Sequence, residues 1–155
     1  MSKDKQIKEL ICQVFIDSVN NYFEETTKEI SETGIPYIKR EDQQILGDYT
    51  GMIGISGNRK GFVYFTGSKP LFTDIVKIVL MVTKPKEYQV IDMAGEIANT
   101  VSGNVRKAFG SDFLISVPAI IEGKPDDLKL PREAPVYVIP IKWRTHKAYI
   151  VVCLE

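Results

Sequence analysis

The apolar residues at the start of the chain recur at helical spacing. Ile7, Leu10, Ile11, Val14, Phe15, Val19, Tyr22 and Phe23 share one face, which predicts an amphipathic helix from residue 7 to about residue 30. Residues 32–40, punctuated by Gly34 and Pro36, read as a connector. Between residues 44 and 66 two β-like runs flank Gly57, Asn58 and Gly61, the pattern of a hairpin. Ser68 stands where an N-cap would, with Pro70 near the first helical position and Leu71, Ile75, Ile78 and Val79 behind it, so a second helix is expected to end before Pro85. A third helix is expected from about Val90 to Phe109, with Gly110 as its stop. Residues 113–121, 134–142 and 147–154 are rich in Val, Ile, Tyr and Phe and read as strands. Pro118 and Pro140 each remove a ladder donor and belong at edges, bulges or strand ends.

The order is therefore helix, two strands, two helices, three strands. Strands joined by short turns pair antiparallel, and helices cover a face. The expected fold class is α+β, a mainly antiparallel sheet with three helices packed on it, in one domain over residues 1–155.

The third helix carries the most informative pattern. At about 100° per residue, Asp92, Glu96, Asn99, Gly103 and Arg106 fall on one narrow stripe. Ile91, Ala94, Ala98, Val101, Val105, Ala108 and Phe109 fall opposite. Gly95 and Gly103 each cost a helix interior roughly 0.5–1 kcal/mol relative to alanine. A smooth polar face held at that cost suggests close approach by another molecule.

Composition narrows the choice of partner. Twenty basic residues balance twenty acidic ones, so no net field draws the chain to nucleic acid or an anionic membrane. The apolar content of 44% is ordinary for a globular protein, and no stretch reaches the roughly 20 apolar residues of a membrane span. The first residues lack the pattern of a signal peptide, and Cys12 and Cys153 have no CxxC partner. Buried, inert thiols and a cytoplasmic location are expected.

Several chemistries find no support. His146 lies in a short polar turn without a nucleophile motif and reads as a surface turn residue. There is no P-loop, no strand–GxGxxG–helix unit and no HExxH. Asp126 and Asp127, flanked by Lys124 and Lys129, read as a solvated loop. The glycines of GDYTGMIGISG fit a bent strand better than a phosphate cradle.

What remains is Glu96 with Asn99, one turn apart. Asparagine is no nucleophile, but its amide can accept from and donate to a water molecule and hold it in line with an electrophile. Glutamines orient the attacking water of GTPases by the same logic. The pair has no metal and nothing to stabilise a leaving oxyanion, so a substrate would have to bring both. The alternative is an exposed helix with an ordinary polar pair.

Asp92, three residues, Glu96, two residues and Asn99 resemble the signature of the CheC/CheX/FliY family of chemotaxis response-regulator phosphatases, position for position. The continuation through Gly103 and Asn104 is similar to the family's helix. Pro118 stands downstream before a β-like run and a glycine, at a shorter spacing than usual. The first helix offers Asp17, Asn21 and Glu24, which is not the motif, so a single site resembles CheX more than CheC.

The resemblance implies a CheC/CheX-like fold and an aspartyl-phosphate phosphatase acting on a CheY-type regulator. Asn99 would orient the attacking water, and Glu96 would pair with a lysine of the partner. Asp92, Gly95, Gly103 and Pro118 would contact that partner. The chain would bind no cofactor of its own, the Mg²⁺ residing on the phosphorylated partner, and would form a homodimer through β-strands. A non-catalytic module that sequesters or localises a regulator is the competing reading.

Overall fold

A computed structural model of the chain describes residues 3–125 and 135–154. The first helix, α1 (Lys3–Thr27), leads into two two-residue strands, β1 (Glu32–Thr33) and β2 (Tyr37–Ile38). The hairpin follows as β3 (Tyr49–Gly57) and β4 (Gly61–Gly67), then α2 (Lys69–Leu80) and α3 (Glu87–Phe109). Four strands close the chain: β5 (Phe113–Ile115), β6 (Ala119–Glu122), β7 (Tyr137–Trp143) and β8 (His146–Leu154). The result is one antiparallel eight-stranded sheet in the order β1-β7-β8-β4-β3-β5, with β2 also on β7 and β6 also on β3. The α+β class and the three helices stand as expected.

The helices pack on one face of the sheet. Phe15, Val19 and Phe23 of α1, Leu71, Phe72 and Ile75 of α2, and Ile97, Val101 and Val105 of α3 meet Ile53, Phe65, Ile139, Trp143 and Ile150. Each such side chain, taken out of water, contributes about 1.5–3 kcal/mol. The opposite face is not bare. Successive strand residues point to opposite sides, so Phe62 and Tyr64 of β4 join Val138, Val151 and Cys153 in a second cluster with Leu46. Tyr64 donates from its hydroxyl to the Ile45 carbonyl at 2.8 Å, fixing the segment before β3 across that face.

Local chemistry explains most element boundaries. Ser68 Oγ accepts from the Leu71 N–H at 3.3 Å, and Pro70 sits in the first turn of α2. The Gln89 side chain accepts from the Lys86 N–H at 2.9 Å and opens α3, three residues earlier than the apolar pattern suggests. Gly110, at φ 97, ends α3 with its N–H on the Arg106 carbonyl.

Three expectations are corrected. Residues 32–40 are more than a connector, since β1 and β2 both extend the sheet beyond β7. The single strand expected over residues 113–121 breaks at Pro118, which has no N–H for the ladder, into β5 and β6. Ala108 is exposed and not on the buried face, a methyl group being too small to demand burial. Pro140 lies within β7, but its carbonyl accepts from Gly34 on the β1–β2 side, so its donorless nitrogen faces that short outer segment and not β8. Residues Asp126, Asp127 and Lys129, together with the start of the strand expected at residue 134, lie outside the described residues.

Candidate functional site

Helix α3 runs along the sheet with Ala94, Ile97, Ala98, Val101 and Val105 inward and Asp92, Glu96, Asn99 and Thr100 outward. Its depth is set by Gly51 of β3. A Cβ at that position would overlap the Ala94 carbonyl oxygen, so only glycine lets helix backbone and strand backbone touch there. On its other side α3 is pinned to α1. Ser18 Oγ donates to the Val101 carbonyl at 2.9 Å, and the Tyr22 hydroxyl reaches Met93 Sδ at 3.9 Å.

Asp92, Glu96 and Asn99 share the exposed stripe, and none of their side chains hydrogen-bonds another described residue. Glu96 and Asn99 stand about 4.5 Å apart along the axis, three residues at 1.5 Å each. An acceptor-only carboxylate and an amide that both donates and accepts are thus presented together to solvent. The stripe is flanked on both sides. On one side lies Tyr22, whose phenol burial pushes up to about 12; a hydrogen bond with Thr26 lowers it and the nearby Glu96 carboxylate raises it further. On the other side Pro118 and Ile120 close over Gly95, each 3.4 Å from where a Cβ would sit.

The two helix glycines therefore differ. Gly95 is buried beneath Pro118 and Ile120, which lie at van der Waals distance from its Cβ position. Gly103 has nothing within 4 Å of its Cβ position and keeps the outer face open. Pro118, chosen from sequence on weaker grounds, lies against the site helix at Gly95, one turn before Asn99.

Arg106 leaves the stripe. Its Nε donates to the Phe113 carbonyl at 3.0 Å, tying the end of α3 to β5. His146 is also no free turn residue. It begins β8 half-buried, with Nε2 2.7 Å from Asp74 Oδ2 of α2. Beside it Arg144 holds Glu29 in a two-pronged hydrogen bond at 2.8 and 2.6 Å, lowering the Glu29 carboxyl, and lies over the Trp143 ring. This cluster joins the end of α1, α2 and the β7–β8 turn, and it serves the fold.

Tyr22 is the neighbour of Glu96 that sequence reasoning missed. Its helical spacing placed it in the apolar face of α1, and only the packing of α1 on α3 brings its hydroxyl to the site. Among the described residues no three His, Cys, Asp or Glu side chains converge to hold a metal ion, and no helix is long and apolar enough to cross a membrane.

Residues 49–142 match the family model described as chemotaxis phosphatase CheX. Among solved structures, the chemotaxis protein CheX from Vibrio vulnificus is 26% identical with a TM-score of 0.81, over 94% of this chain and 99% of that one. CheX from Desulfovibrio desulfuricans is 27% identical with a TM-score of 0.82 over the same shares. A CheX from Borrelia burgdorferi, at 14% identity, TM-score 0.73 and coverage of 93% and 97%, shares the fold. No curated protein sequence matches the chain. The family model spans more than half of the chain and includes the whole of α3, and this chain belongs to the CheX family of chemotaxis proteins.

Proposed function

We propose that this chain is a phosphatase that removes the aspartyl phosphate of a CheY-type response regulator. The observation that carries the reading is the pair Glu96 and Asn99, exposed side by side on α3 without a hydrogen-bond partner among the described residues. A surface built for stability alone has no use for an acceptor and an amide held ready in this way. The Borrelia burgdorferi CheX of the same fold is described in a complex with CheY, beryllium fluoride and Mg²⁺, which supports a regulator as the partner.

In this reading α3 docks over the regulator's phosphorylated aspartate. The Asn99 amide oxygen accepts a hydrogen bond from a water molecule and aims the water's lone pair at phosphorus. Attack forms the new P–O bond. The bond to the aspartyl oxygen breaks, the aspartate leaves as a carboxylate with the electron pair, and inorganic phosphate is released. Glu96 pairs with a lysine of the regulator and fixes the register, with Asp92 as a supporting contact. Mg²⁺ belongs to the phosphorylated substrate, where it offsets the developing charge. The chain is further proposed to work as a homodimer joined through a sheet edge.

The second reading, a module that binds the regulator without turning it over, makes the opposite prediction for one variant. Asn99→Ala is expected to lower the rate of accelerated phosphoryl loss by about 10²-fold or more, the scale of losing one positioning group, with folding and regulator binding retained. The measurement is the lifetime of the phosphorylated regulator with and without each variant. Near-wild-type turnover in Asn99→Ala overturns the catalytic reading, as does a wild-type chain that binds regulator without shortening that lifetime.

A further inference from the structure

Continued toward its N-terminus, the exposed stripe of α3 reaches Tyr88. At 3.6 residues per turn Tyr88 lies about 20° from Asn99 and about 40° from Asp92 around the helix, and about 12 Å from Glu96 along it. Its side chain is 58% exposed, and the ring has neither a hydrogen-bond nor an aromatic partner among the described residues.

We propose that Tyr88 is the apolar anchor by which this protein grips the regulator whose phosphoryl group Asn99 addresses. The inference rests on the function proposed above. Area supports it: a specific interface covers about 800 Å² on each partner, a disc of about 16 Å radius. Centred on Glu96, that disc takes in Tyr88. At the other end of the stripe the Arg106 guanidinium is already engaged with the Phe113 carbonyl. The catalytic portion is polar, so the affinity has to come from its margin, and tyrosine is among the residues that dominate interface energetics. The partner surface it fits is an apolar depression on a folded regulator domain, about 16 Å from its phosphorylated aspartate, the distance along α3 from Asn99 to Tyr88.

The test is a titration of the full chain with a response regulator of the same organism, charged with beryllium fluoride and Mg²⁺, paired with turnover of the phosphorylated regulator. Tyr88→Ala is expected to weaken binding about tenfold, equivalent to about 1.4 kcal/mol. KM should rise in parallel, while kcat at saturating regulator stays within about twofold. Tyr88→Phe keeps the ring and should keep most of the affinity. Unchanged affinity and KM in Tyr88→Ala, with the wild type active, overturn the anchor and leave the catalytic reading in place. A kcat loss at constant KM overturns it as well. A change in the chain's sedimentation mass in Tyr88→Ala assigns this face to self-association and overturns it. Tyr88-dependent binding without any turnover by the wild type supports the anchor and overturns the catalytic reading.

Discussion

Gly103 sits inside a 23-residue helix with no atom within 4 Å of its Cβ position, so nothing in the fold requires the missing side chain. An interior glycine costs a helix about 0.5–1 kcal/mol relative to alanine. Gly95, at the same nominal cost, is covered by Pro118 and Ile120. The contrast splits a shared sequence signal, one glycine covered by the chain and the other left open. Gly103→Ala is therefore expected to raise stability by about 0.5–1 kcal/mol and Tm by about 1–4 °C. If the bare backbone is there for the regulator, the same variant loses turnover through a higher KM. Thermal unfolding and a regulator titration check the two halves, and a stabilised variant with unchanged KM removes Gly103 from the contact surface.

At the level of elements, the site depends on how closely α3 lies on the sheet, and Gly51 decides that. Gly51→Ala drives a methyl group into the Ala94 carbonyl, backbone against backbone, where no rotamer offers relief. A loss of about 1–3 kcal/mol or more is expected, together with reduced turnover because Glu96 and Asn99 ride on the displaced helix. Urea unfolding gives the first number, and a wild-type midpoint would show that the helix can lift freely. This dependence also marks the boundary of what the sequence discloses. The three helices, the hairpin and the Asp92–Glu96–Asn99 stripe were legible because a long periodic segment states its own buried face. The strands β1 and β2 were not, since two residues have no period and their side chains are largely exposed. Tyr22 beside Glu96 and Asp74 on His146 were invisible for a different reason. Both contacts join positions far apart in the chain, so the residues read locally as an apolar helix position and a polar turn. Arg106 had the right angle for the stripe but a long side chain, which reached the Phe113 carbonyl of β5 instead.

For the whole molecule, the open question is what the two sheet edges do. An unpaired strand edge invites another strand, and natural folds protect it with charge, brevity or a partner. The β5–β6 edge lies beside the site, since Pro118 and Ile120 close over Gly95 there. A second copy seated on that edge would crowd the regulator's approach to Asn99. The β1–β2 edge lies at the other end of the strand order, and its segment exposes Ile30, Ile35, Tyr37 and Ile38 within nine residues. Apolar exposure of that density is what a covered surface looks like before it is covered. If the protein pairs through β-strands, pairing through β1 and β2 leaves both copies of α3 open, one on each chain. Sedimentation at micromolar concentration is then expected to give about 35 kDa, twice the 17.5 kDa chain. Ile38→Lys places a charge on that edge, the device natural sheets use against pairing, and should return the mass of one chain. Turnover per chain should persist in the variant, because Ile38 is remote in the strand order from the strands that flank α3 at the site. A wild-type chain that sediments as a monomer removes the dimer, and a dimer indifferent to Ile38→Lys moves its interface off this edge.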